Sequence, residues 1–268
     1  MNRRAFSLIE LLVSIGIIGV LISITLPALG SARGTARQLA SSVNARSIAD
    51  TFATIETDTG GYPTKELASN SFSGGGWSFN SGPSIFLESE LRTGDEVSIM
   101  HVIAPIWELS ILWPLLMEEH VNIDEHYETW VSPGRPAFRP QLSQGDLEFD
   151  GLPALSSYRY ANAFLAKPSL WSGQAEVDQE TVIAPVSAAE VRSPASKVLL
   201  WDADLAYLRS TPLISGGFYA EPTPMAFADG HVDVKDPAEL REGAANPLNG
   251  GNTMPIHNTA DGVQGADF

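Results

Sequence analysis

The chain has 268 residues, 44% of them hydrophobic and none of them cysteine, with a formal net charge of −16. That length and apolar content exclude a disordered chain and allow one sizeable core, while the missing cysteines exclude disulfides. Charge is unevenly spread: residues 1–46 hold five arginines against Glu10, a net of +4, and the remainder carries −20. A body that acidic is repelled by phosphate backbones, so no nucleic acid is expected among its partners.

Phe6 to Leu26 is a run of 21 residues with one charge, Glu10, and it follows Arg3 and Arg4. At about 1.5 Å per residue, a helix of that length covers the roughly 30 Å hydrocarbon core of a bilayer. Basic residues ahead of the span predict a cytoplasmic amino terminus and an exported remainder. Glu10 is the costly group: a carboxylate in hydrocarbon costs about 3 kcal/mol near mid-membrane and less near the end of a span. A residue kept at that cost is a functional candidate.

Ala5-Phe6-Ser7-Leu8-Ile9-Glu10 resembles the class III signal of type IV prepilins and type II secretion pseudopilins. The resemblance implies that prepilin peptidase cleaves between Ala5 and Phe6 and methylates the new amine of Phe6. Glu10 then becomes the fifth residue of the mature chain, the family's filament-assembly glutamate, and Pro27 falls at its helix-kinking position. Ala5 departs from the family, which usually has glycine before the cut. Implied partners are the peptidase, other pilin or pseudopilin subunits in a homo- or hetero-filament, an inner-membrane assembly platform and membrane lipid. In a filament the Glu10 carboxylate meets the Phe6 ammonium of a neighbour, and two unit charges about 4 Å apart at an effective dielectric near 20 attract by about 4 kcal/mol, offsetting burial.

Two other readings fit the same stretch. A secretory signal peptide is also basic, then apolar, then small, with Ala28-Leu29-Gly30-Ser31-Ala32 as its cleavage site, although the apolar run is long for one and the helical pattern continues beyond it. An ordinary single-pass anchor with an incidental glutamate is the other.

Beyond Pro27, which is expected to kink the helix without breaking it, Leu29, Ala32, Ala36, Leu39 and Val43 recur at spacings of three and four, followed by Ile48, Phe52 and Ile55. This predicts one long helix, its first half in lipid and its second half packed on a domain. Gly60-Gly61-Tyr62-Pro63 supplies its stop. Asp58 to Thr64 also resembles the stretch that follows the long helix in major pseudopilins. Ser69 to Ser84, with Gly74-Gly75-Gly76 before Trp77, reads as a mobile loop without the features of a phosphate cradle. An aromatic loop of this kind is where recognition of a polysaccharide or secreted substrate would be sought.

Ile99 to Met117 is apolar but interrupted by His101, Pro105, Glu108 and Pro114; one or two short buried helices are expected, with Trp107 and Trp113 in the core. Glu118, Glu119, His120, Asp124, Glu125, His126 and Glu128 read as a solvated acidic face or as ligands for a structural divalent cation. No other cofactor is expected.

Glu128 to Pro133 and Ser156 to Asn162 resemble the middle of a pseudopilin-like subgroup that is recognised by a C-terminal motif of His, nine residues, then Asp-Gly-His-Val. The subgroup often has Cys-Pro where this chain has Ser132-Pro133, and its histidine position is Tyr219 here, ten residues before Asp229. Val191 to Asp202 reads as a loop feeding a buried strand. Met225 to Val234 reads as a β-hairpin turned by Asp229-Gly230, with His231 just past the turn; Asp229, Gly230 and His231 form the motif by resemblance and a plain hairpin turn by structure. Gly243 to Phe268 is rich in Gly, Asn, Asp and Ala and reads as a loosely held, flexible tail.

No nucleophile, base and oxyanion donor assemble in this sequence, and the paired carboxylates Asp202 and Asp204 are the nearest approach to a catalytic pattern, so no enzyme is expected. The expected organisation is a leader (1–5), a transmembrane helix (6–27), the periplasmic half of the long helix (28–60), a globular head (61–242) and the tail (243–268). The fold class is α+β, a long helix on a small antiparallel sheet. The implied role is a pseudopilin-like structural subunit anchored by a single pass in the bacterial inner membrane, with a cytoplasmic amino terminus and a periplasmic head, and assembled into the pseudopilus of a type II secretion-like system. A type IV pilin for adhesion or motility, many of which close their C-terminal region with a disulfide, and a membrane-anchored periplasmic binding protein are the alternatives.

Overall fold

A computed structural model describes residues 8–64, 84–93, 96–117, 120–121, 126–135, 156–173, 178–208, 213–214, 218–219, 221–248 and 253–268. Helix α1, Leu8–Thr59, is 52 residues long and runs unbroken through Pro27. It stops where expected: Gly60 takes a left-handed backbone (φ +81°) and its N–H still reaches the Glu56 carbonyl at 2.8 Å. Tyr62 follows into the core, with its N–H donating to the Val186 carbonyl at 2.7 Å and its ring edge-on to Phe164 at 4.7 Å.

Strands β1, Ser84–Thr93, and β2, Glu96–Pro105, pair antiparallel as a two-stranded ribbon. The expected helices of Ile99 to Met117 therefore begin later than anticipated. Val97, Ile99, Val102 and Ile103 supply the β-branched residues that favour a strand, and short helical turns take only Ile106 to Leu116. Trp107 and Trp113 are buried there as expected.

The main sheet is antiparallel throughout, in the order β3-β4-β7-β8, from β3 (Tyr158–Tyr160), β4 (Val198–Asp202), β7 (Thr223–Phe227) and β8 (Val232–Lys235). A two-residue pair, β5 (Leu213–Ile214) and β6 (Phe218–Tyr219), precedes β7. Every residue of β4 and β7 is buried, the polar Asp202 and Thr223 included. Strand β8 lies at an edge with an exposed middle, its burial alternation weak because the sheet's far side is partly open. The result is α+β, a long helix laid across a small antiparallel sheet.

Packing of α1 begins at Ser41 and continues through Ala45, Ile48, Ala49, Phe52 and Ile55. Phe52 sits 4.7 Å from the Tyr160 ring and 5.5 Å from Trp113, whose indole N–H donates to the Tyr158 carbonyl at 2.8 Å. Ile48, Phe52 and Ile55 are buried as the periodicity predicts. Leu39 and Val43 are not: they stay 66% and 61% exposed. Nine residues at about 100° each is a half-turn excess, so Leu39 lies opposite Ile48 and Val43 opposite Phe52. The helix carries two apolar stripes, and only one is buried among the described residues.

The expected flexible tail is a correction. Ile256, His257, Asn258, Thr259, Val263 and Asp267 are all buried. Asp267 Oδ1 lies 3.1 Å from Lys197 Nζ, Asp267 Oδ2 accepts the Val198 N–H at 2.8 Å, and the Asp267 N–H donates to the Ser196 carbonyl at 2.8 Å. Thr259 Oγ1 bonds both members of this ion pair. The tail stays down because it brings the one carboxylate that a fully buried lysine needs, and a low-complexity composition carries no trace of such a long-range pairing.

Candidate functional site

Residues 8–33 of α1 are all exposed. Every large apolar side chain from Leu8 to Leu29 is exposed, and the most apolar 18-residue window reaches a mean hydropathy of 2.4. A water-facing helix of that composition is unfavourable by the transfer energy of fourteen large apolar side chains, and lipid or neighbouring helices remove the penalty. The polar groups in the span look after themselves: Ser14 Oγ donates to the Glu10 carbonyl at 2.7 Å, Ser23 Oγ to Val20 at 2.7 Å and Thr25 Oγ1 to Ile22 at 3.2 Å. Such back-bonding is what a hydrocarbon solvent demands of hydroxyls. Glu10 stands in the first described turn, the end of the span where a carboxylate costs least. Pro27 lies inside the helix at the membrane-distal end of the apolar run, where it withholds one N–H from the Ser23 carbonyl. Ala5 and Phe6 lie outside the described residues.

The exposed half is fastened to the head through a buried carboxylate. Asp202, at the end of β4, accepts Ser41 Oγ of α1 at 2.6 Å and Ser132 Oγ at 2.7 Å on one oxygen, and the N–H groups of Asp204 and Leu205, each at 3.0 Å, on the other. Ser132 Oγ in turn accepts the Ala206 N–H at 3.0 Å, and the Tyr158 hydroxyl donates to the Ser41 carbonyl at 3.2 Å. Burial pushes the Asp202 carboxyl up, and its four donors pull it back. This network ties helix, sheet and loop at one point. Asp204 belongs to a different set, with the Arg135 guanidinium and Ser157 Oγ, the latter at 2.6 Å. The two aspartates thus have separate structural partners.

The hairpin motif forms as expected. Gly230 takes φ +82°, and the turn closes through the Gly230 N–H to the Phe227 carbonyl at 2.8 Å and the Phe227 N–H to the His231 carbonyl at 2.9 Å. Asp229 Oδ1 accepts the His231 N–H at 3.0 Å and lies 2.5 Å from His231 Nδ1, while the imidazole stacks on Phe227 at 4.2 Å. Partial burial would raise the Asp229 carboxyl, but the His231 N–H and ring together hold it below the ordinary range. Those contacts account for both side chains as turn-locking groups. Tyr219 has its backbone in β6, and its side chain lies outside the described residues.

Residues 1–26 match the family described as the prokaryotic N-terminal methylation motif. That motif supports a type IV pilin-like precursor. The match covers the apolar half of α1, and the head beneath it supplies the long-helix-on-sheet arrangement of a pilin-like fold. Comparison with curated proteins and with solved structures finds no match.

The pilin-like chain brings no three His, Asp or Glu side chains together for a metal among its described residues. Glu118, Glu119, Asp124 and Glu125 lie outside them, as does Trp77; His120 is exposed and His126 stacks on Trp130 at 6.1 Å. Sequence reasoning missed Ser41, Ser132, Lys197, His257 and Asp267. Ser41 alone left a signal, a small polar residue four before Ala45 on the buried stripe; the others depend on partners 60 or more residues away.

Proposed function

We propose that this pilin-like precursor is a pseudopilin: a structural subunit that prepilin peptidase cleaves between Ala5 and Phe6, and that is drawn from the inner membrane into a periplasmic filament of a type II secretion-like system. The observation that carries this is the solitary acid of the apolar half. Glu10 stands on a helix face that the head leaves bare, four residues after the phenylalanine whose amine cleavage would free. On assembly the Phe6 ammonium of a neighbour neutralises the carboxylate, which makes membrane storage and filament growth two states of one subunit. The single-pass orientation, with a cytoplasmic amino terminus, follows from Arg3 and Arg4. Cysteine is absent, and the buried Lys197–Asp267 pair closes the C-terminal region instead, which favours a short secretion filament over a surface-exposed adhesive pilus. The structural role leaves no demand for catalysis. The mass of the amino-terminal peptide from membranes of a host with prepilin peptidase tests the reading: it begins at Phe6 and carries one added methyl. A retained Met1, or a terminus at Ser31 or Arg33, overturns it.

A further inference from the structure

The clasp between Lys197 and the C-terminal segment has the parts of a reaction site. The two side chains are 0% and 1% exposed, with Lys197 Nζ 3.1 Å from Asp267 Oδ1 and 5.9 Å from the centre of the Phe164 ring. Burial pushes the Lys197 ammonium below its ordinary range against the pull of Asp267, and a dry ion pair sheds both charges by passing one proton across. Thr259 Oγ1 bonds Nζ and Oδ1 together, and the Ile256 carbonyl at 3.1 Å pins that hydroxyl in place. Ile256 itself holds φ +62°, an unfavourable backbone for a β-branched residue, in the turn that presents Thr259. The other carboxylate oxygen, Asp267 Oδ2, accepts the Val198 N–H at 2.8 Å. A cavity of about 180 Å³, lined in part by Arg241, Thr259, Gly265 and Asp267, adjoins the pair.

We propose that Lys197 and Asp267 condense into an amide, a covalent cross-link between the residue before β4 and the C-terminal segment. The ionic clasp forms first and holds amine and carboxyl in contact, where water is excluded. Thr259 relays one proton from Nζ to Oδ1, which leaves a neutral amine beside a carboxylic acid. The Nζ lone pair then attacks Cγ, and negative charge gathers on Oδ2, where the Val198 N–H is already placed to stabilise it. A second proton passes from Nζ through Thr259 to the Oδ1 hydroxyl, the Cγ–Oδ1 bond breaks, and one water leaves into the adjoining cavity. Both charges vanish together, and no oxidant, reductant or co-reactant is consumed. The product keeps Oδ2 as its carbonyl oxygen on the Val198 N–H, so the surrounding hydrogen bonds stay as they are. The cross-link goes beyond the assembly reading and stands or falls without it.

The test is the mass of tryptic peptides from the full chain, purified folded from membranes and then denatured. Trypsin does not cut at an amidated lysine, so residues 193–209 stay whole and travel joined to the peptide that begins at Glu242. The branched species weighs one water less than its two parts. Cleavage after Lys197 with separate peptides overturns the proposal. So does a Glu242 peptide that is one water lighter but unlinked, because dehydration at Asp261-Gly262 accounts for it. Asp267→Ala loses the branch and regains cleavage after Lys197; a branch that persists there overturns the assignment. Thr259→Val, in chain whose circular dichroism matches the wild type, slows the appearance of the branched peptide after synthesis about a hundredfold. Linkage at the wild-type rate in that variant overturns the relay and the mechanism with it.

Discussion

Between Leu8 and Leu29 every large apolar side chain of α1 faces outward, whereas between Ser41 and Ile55 the same helix buries six residues against its sheet. The two halves share a backbone and differ in what solvates them. In the first half apolarity is continuous around the helix, because lipid or other helices will be on every side. In the second half it is split into stripes, one satisfied within the subunit and one left over. Intramolecular stability is therefore a property of the second half, and the proposed assembly a property of the first.

The comparison breaks most visibly at Glu10. Glu10→Ala leaves membrane insertion intact and improves hydropathy, yet cross-linkable multimers fall to background, since the attraction of about 4 kcal/mol that selects the assembled state is gone; wild-type multimer yield would refute the division of labour. A second effect, of acid, is confined to the head. Burial, with Arg159 and Lys197 adding repulsion, holds the His257 imidazole down to about 3, so it is neutral when folded and takes up a proton on unfolding below its ordinary 6.5. Stability is then complete above about pH 6.5 and declines as pH falls toward 3, by about 5 kcal/mol at the acid end. Asp202, pushed up by burial, works in the opposite sense in its own window, so the measurement is the difference between wild type and His257→Asn in denaturant melts of the full chain in detergent across that range. A flat difference removes the assignment.

Within the second half the two stripes predict unequal costs. Phe52→Ala opens a cavity among Tyr160 and Trp113 and costs about 4 kcal/mol of head stability in the same melts. Leu39→Ala, half a turn away in phase and already exposed, costs less than about 0.5 kcal/mol there. Equal costs at the two positions would mean that the head covers both faces.

Much of this organisation was legible from local pattern. The apolar run, the Gly60 stop, the burial of Ile48 and Phe52, strand β4 and the Asp229-Gly230 turn all follow from residues within a few positions of one another, where periodicity and turn chemistry decide. Leu39 and Val43 misled because spacing alone records that a stripe exists and not which surface it meets; its phase relative to Ile48 and Phe52 held the answer. Val97 to Ile103 misled because a short apolar run suits a buried strand as well as a helix. The tail was illegible for a different reason: Lys197 and Asp267 are 70 positions apart, and neither marks the other. Of the candidate site, Glu10 was readable as a charge in the wrong solvent, while the Ser41, Ser132 and Asp202 junction needed three distant segments to be brought together.

The Lys197–Asp267 pair also sets a clock. As a chain emerges in amino-to-carboxyl order, the ammonium that must sit beside β4 arrives long before its counter-charge. Until residue 267 is delivered, the sheet can close only around an uncompensated cation, so the head's final docking waits on the segment that carries Asp267. Because the clasp is ionic and holds no sulfur, that maturation proceeds identically in reducing and oxidising surroundings.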